Sequence, residues 1–235
     1  MIDRAAAQSA AMADLERFAD DIWVAARPMR FFGVETGTRM TVVRLAGERL
    51  LIYSPVGLDE STREAVDGLG SVCAVVAPSV FHHVFVSQWM THYPQARFAA
   101  CPGLEWKRTD LAFSCVLGDT PDPLWADELE QCYFSARREN EIVLFHRRSR
   151  TLICCDSLLN LAHHASPWTR RVAWLMGNDA PGITRLERFM IRDRALARRQ
   201  VDRMLSWDID KIVLAHGDLI ARDGHEVLRQ AYAWL

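Results

Sequence analysis

The chain has 235 residues, half of them apolar and a quarter charged, and its 28 basic and 30 acidic side chains leave a formal net charge of -2. That length buries one large core or two modest ones, and an evenly mixed, near-neutral charge excludes the global basic field of a nucleic-acid or membrane-surface binder. No run approaches the roughly 20 apolar residues that a membrane helix needs, and residues 1–13 lack the continuous apolar core of a signal peptide, so a cytoplasmic protein is expected.

Six cysteines (Cys73, Cys101, Cys115, Cys132, Cys154, Cys155) form no C-x-x-C pair and sit in or beside apolar runs, as reduced core residues do. One domain over residues 1–235 is expected, with residues 1–20 a peripheral helix or extension. A helix is expected over 5–21 and a short strand over 22–26, stopped by Pro28. The β-branched stretch 38–46 predicts a strand, Gly47 and Glu48 a turn, and 49–53 a paired second strand. Asp59 caps a helix running to Leu69, and 72–77 is an unbroken apolar run of the kind found in a strand buried on both faces.

Residues 84–93 predict a helix ending before Pro94, and 97–100 a short strand; Pro121 and Pro123 mark a loop. Three strands follow at 129–134, 141–146 and 151–155, the last two a hairpin around Arg147, Arg148 and Ser149. The C-terminal third is read as helices over 167–176 and 185–207, a strand at 211–215, and a closing helix at 226–235. Two groups of strands, each followed by helices, suggest two packed sheets with helices outside.

Three of these strands end in metal-ligand chemistry: 72–77 is followed by His82 and His83, 151–155 by Asp156, and 211–215 by His216. Ligands in α/β sheets gather beyond the carboxyl ends of strands, where side chains converge. Three imidazoles and one carboxylate suit one divalent transition ion, zinc or iron.

Here the sequence resembles the metallo-β-lactamase superfamily, in an uncharacterised branch with a depleted motif. The superfamily's H-x-H-x-D-H falls on Pro78, Val80, His82 and His83; its bridging Asp and terminal His fall on Asp156 and His216; counting back from Asp156 puts its lone His near Arg137. The resemblance implies a four-layer αββα sandwich (α+β / α/β class) in which the first of two metal positions is lost. His82, His83, Asp156 and His216 would hold the second, with Arg137 taking the space of the missing ion and orienting an anion or substrate. A metal-dependent, hydrolase-like protein acting on a small molecule is the leading expectation. The alternatives are a non-catalytic scaffold or binding protein on the same fold, and oxygen chemistry at one iron.

Other histidines have ordinary explanations, except that His163 and His164 follow Asp156 closely enough to line the same pocket. Acidic residues among the arginines of 185–203 make a solvated face, so nucleic acid is not expected. Homo-oligomerisation is left open.

Overall fold

The computed structural model describes residues 15–135 and 140–235. The first strands are β1 (Glu16–Ala19), β2 (Ile22–Arg27), a small hairpin β3 (Arg30–Phe31) and β4 (Val34–Glu35), β5 (Thr38–Leu45) and β6 (Arg49–Tyr53). Helix α1 (Glu60–Asp67) leads into β7 (Ser71–Ala77), then come α2 (Val86–His92), β8 (Arg97–Ala100), α3 (Leu104–Lys107) and β9 (Cys115–Val116). The second half comprises β10 (Leu129–Phe134), β11 (Glu141–His146), β12 (Thr151–Ile153), α4 (Pro167–Leu175), α5 (Arg185–Met190), α6 (Arg194–Leu205), β13 (Lys211–Val213) and α7 (Gly224–Ala231).

A seven-stranded sheet runs β1-β2-β5-β6-β7-β8-β9 and a four-stranded one β10-β11-β12-β13. Pairs β6/β7, β7/β8 and β12/β13 are parallel, which directs the carboxyl ends of the strands within each group the same way. Alternation along the second sheet explains the layers. Ile142, Leu144, Ile153, Cys155, Val213 and Ala215 face the first sheet and join its core. Val143, Phe145, Leu152, Cys154, Ile212 and Leu214 point the other way, onto Ala197, Val201 and Met204 of α6 and Leu228 of α7. With α1 and α2 against β7 on the far side, the architecture is the expected αββα sandwich. No described helix is long and apolar enough to cross a membrane.

Two expectations are corrected, and one element is new. Residues 16–19, expected to be helical, form β1, antiparallel to β2; the part of that helix before Leu15 lies outside the described residues. The helix expected over 185–207 is two, because Thr184 caps α5 with a capping box to Glu187, and Asp193 starts afresh by accepting from the Leu196 N–H. The stretch between them, with Ile191 buried, turns the chain. The β3/β4 hairpin was not foreseen at all.

Gly217, just after His216, has φ +95°, and a Cβ there would stand 1.8 Å from the Asn160 carbonyl oxygen. The close approach is needed because Asn160 N–H donates to His216 O at 3.0 Å and Asp218 N–H to Asn160 O at 3.0 Å, tying the loops after β12 and β13 together. Gly217→Ala should therefore destabilise the protein by about 3 kcal/mol or more, read as a fall in the urea midpoint at unchanged slope.

Candidate metal centre

The site lies where four strand ends meet: His82 follows β7, Asp156 follows β12, His216 follows β13, and Ser54 follows β6. His82 Nε2 stands 3.2 Å from Asp156 Oδ1 and 3.2 Å from His216 Nε2, and His216 Nε2 is 3.3 Å from the same Oδ1. The three atoms make a nearly equilateral triangle. Donors around a tetrahedral ion with bonds of about 2.1 Å stand about 3.4 Å apart, and around an octahedral one about 3.0 Å, so the triangle has the dimensions of three ligands of a single ion.

The far side of each of the three side chains is held. His216 Nδ1 donates to Gly37 O at 2.8 Å, which leaves Nε2 facing the triangle. Ser79 Oγ donates to Asp156 Oδ2 at 3.0 Å, leaving Oδ1 for the site. His82 Nδ1 meets Ser54 Oγ at 2.8 Å. Ser54 itself sits at φ +56°, an uncommon conformation for a residue with a side chain, and its N–H is bonded to Val76 O.

The electrostatics follow from the geometry. Burial acts to raise the Asp156 carboxyl, but the two imidazoles outweigh it and hold the group well below the usual carboxylate range. Burial likewise opposes protonation of His82, and Asp156 reverses the balance and raises it. His82 Nε2 and His216 Nε2 both face Asp156 Oδ1, so the carboxylate is the acceptor at the centre of the cluster.

Asp156 is positioned by a buried carboxylate. Glu141, 1% exposed at the start of β11, accepts from the backbone N–H groups of Cys155 at 2.6 Å, Asp156 at 3.0 Å and Ser157 at 2.6 Å. Tyr53 O–H donates to Ile142 O at 2.8 Å beside it. Cys155 faces inward, and its Sγ lies within 4.8 Å of the His82 and Asp156 donor atoms. Burial, with Glu141 and Asp156 adding, pushes its thiol well above the ordinary value, so it is protonated unless a metal displaces the proton.

Three of the four expected ligands are thus brought together, and the fourth is not. His83 Nδ1 accepts from Arg108 Nη1 at 3.0 Å. Burial first, then Lys107 and Arg108, lowers its basicity. His83 lines the same cavity, but Arg108 holds its Nδ1 and no contact joins its ring to the triangle among the described residues. Arg137 lies outside the described residues. His163 stands beside Arg170 and Arg171 at a different surface pocket, and His164 Nδ1 accepts from Ser166 N–H; neither lines the cavity at the triangle. Cys155 was passed over, although the strand alternation that set it opposite Cys154 was the available signal.

Above the triangle opens a cavity of about 550 Å³. Its walls come from the β3/β4 hairpin, the loop at 81–85, Leu159 and Leu161, α4 and α5, with His82, Asp156 and His216 at the polar end.

The sequence profile of a family described as "Domain of unknown function (DUF4336)" matches residues 19–174. Among solved structures, the chain is similar to the DIM-1 metallo-β-lactamase exposed to ceftazidime, at 12% identity and TM-score 0.64 over 94% of this chain and 96% of that one. It is similar to the FIM-1 metallo-β-lactamase of Pseudomonas aeruginosa in its mono-zinc form, at 11% identity and TM-score 0.62 over 94% and 95%. It also resembles the Flv1 flavodiiron core of Synechocystis, at 14% identity and TM-score 0.60, over 92% of this chain and 59% of that one. These likenesses establish the metallo-β-lactamase fold. No curated protein sequence matches.

Replacing Glu141 tests how the ligand turn is held. Glu141→Ala strands three buried N–H groups and should lower stability by about 3 kcal/mol. Glu141→Gln, which offers an N–H₂ where an acceptor is needed, should recover only part of that loss in the same urea titration.

Proposed function

We propose that this chain, which belongs to the family of unknown function DUF4336, is a metal-dependent hydrolase of the metallo-β-lactamase fold acting on a small molecule. A single divalent ion would be held by His82, Asp156 and His216, with Cys155 the nearest further donor. The observation that carries this is the triangle of Nε2, Nε2 and Oδ1 atoms at 3.2 to 3.3 Å. Its supporting bonds to Gly37, Ser79 and Ser54 aim each donor inward, as outer-shell partners of metal ligands do. Pro78 and Val80, where the superfamily has histidines, offer no side-chain ligand for a second ion.

Bound there, such an ion supplies Lewis-acid polarisation of a substrate oxygen and acidifies water. The chain's own residues do the rest. His82 Nε2, Asp156 Oδ1 and His216 Nε2 would face the ion, any ring proton on those nitrogens leaving to solvent as it binds, and the apolar walls above exclude bulk water from the polar end. The mono-zinc form of one structural neighbour shows that the fold is compatible with one ion in that protein.

Metal content tests the reading. Protein purified without a histidine tag, stripped with chelator and reloaded with zinc or iron(II), should take up about one equivalent by mass spectrometry of the metal. His82→Ala, Asp156→Ala and His216→Ala should each drop uptake below about a tenth, and Ser79→Ala should weaken affinity about tenfold. His83→Ala should retain the metal. No uptake by the unaltered protein leaves the scaffold reading, on which the imidazole–carboxylate cluster is purely structural.

A further inference from the structure

We infer that the depression beside α4, lined by His163, Arg170, Arg171 and Trp174, binds a small anion that carries a planar ring, of the class of nucleoside monophosphates. The site is separate from the triangle of His82, Asp156 and His216, and the inference stands whether or not an ion binds there.

The helix sets the arrangement. Arg170 and Arg171 precede Trp174 by four and three residues, so the three side chains leave one face of α4 and meet at the depression. Val172 and Ala173, between them in sequence, line the 550 Å³ cavity from the other side of the helix. The depression itself measures about 440 Å³, the size of a small-molecule site. Its floor is rigid. Asn178, fully buried, accepts from Leu161 N–H at 3.0 Å and donates through Nδ2 to Leu159 O at 3.1 Å and to Gly182 O at 3.0 Å. One amide thus ties the loop that carries His163 to the turn that follows α4.

Most of the polar groups around that floor are unused. Arg170 Nη1 donates to His164 O at 2.8 Å and to Ala165 O at 3.1 Å, which fixes the guanidinium plane and leaves Nε and Nη2 without a hydrogen bond among the described residues. Arg171, the His163 ring and Trp174 Nε1 have no hydrogen-bond or ion-pair partner among the described residues either. Asp179 is the one carboxylate among the described residues at the rim, and it forms no ion pair with either arginine. Two guanidinium charges therefore stand against one carboxylate.

Each part of the ligand answers a part of the site. A phosphate monoester presents several oxygens to the forked donors of two guanidinium groups, the geometry in which arginine holds phosphate. An inorganic phosphate would leave most of the 440 Å³ to water. Trp174 is 64% exposed, and an indole standing beside guanidinium groups at a depression offers a face on which a base stacks. Charge attracts any anion, whereas the tryptophan favours one with a ring.

Calorimetric titration of the purified full chain with AMP, adenosine and inorganic phosphate, at about 0.15 M salt to screen loose attraction, tests the inference. AMP should bind with a Kd below about 1 mM, and at least about tenfold more tightly than adenosine or inorganic phosphate. Arg171→Glu and Trp174→Ala, both at exposed positions, should each weaken AMP about tenfold at an unchanged urea midpoint, and Trp174→Phe should restore most of the loss seen with Trp174→Ala. No AMP binding by the parent overturns the inference, as does AMP binding that both variants leave intact, which sets the nucleotide elsewhere on the protein. A loss with Arg171→Glu but none with Trp174→Ala also overturns it, since the depression is then only a patch of positive charge. His216→Ala should leave AMP affinity within about twofold of the parent; a larger loss puts the phosphate at the triangle and overturns the inference. Metal uptake is read on the His82, Asp156 and His216 variants and nucleotide binding on those of Arg171 and Trp174, so the two readings fail separately.

Discussion

The carboxylate of Glu141 is the constraint on which the rest of the arrangement depends. It stands at the first position of β11, where its backbone is bridged to Ser79 and the neighbouring Ile142 N–H donates to Pro78 O at 2.8 Å. The same residue therefore touches the end of β7, in the first sheet, through its backbone, and the end of β12, in the second, through its side chain. A buried charge is tolerated only when its lone pairs are used, and here three N–H groups of one turn use them. The turn cannot rearrange without stranding either the carboxylate or its donors.

That pinning makes the convergence of His82, Asp156 and His216 a property of the sheets. His82 arrives from the first sheet, Asp156 and His216 from the second, and the parallel pairs β6/β7 and β12/β13 bring their ends to one edge of the sandwich. Arg39, reaching from β5, donates to the carbonyls of Leu214 and Gly217 and fastens the His216 loop to the first sheet. Once the sheets are packed, each donor atom needs only its own rotamer fixed, and Gly37, Ser79 and Ser54 fix them.

Much of this was legible in the sequence because it is written in local signals. An unbroken apolar run at 72–77 or 142–145 has few options other than a strand covered on both faces, and a histidine or aspartate soon after such a run falls near a strand end. What was not legible depends on which way a loop turns. His82 and His83 are indistinguishable in sequence, and the choice between them is made by Ser79 Oγ, which accepts from the N–H groups of Phe81 and His82 and so curls the loop to point the first ring inward. Residues 16–19 carry no strand pattern of their own and become one by pairing with β2, a tertiary override of local propensity. Phe31 and Phe32 belong to no pattern read in the sequence, and only the fold places them at the mouth of a cavity.

The triangle bridges the seam between the two sheets, with one corner contributed by the first and two by the second. Its edges are therefore a ruler for the sandwich: a parting of the layers by even an ångström breaks the contacts of His82 with Asp156 and His216 while Val75, Leu144 and Ile153 remain out of water. The apolar interior tolerates small breathing motions, whereas the polar corner does not, so the spacing of the layers is policed from the edge at which the triangle sits. Selection for a working site would in that case also be selection for how closely the two sheets pack.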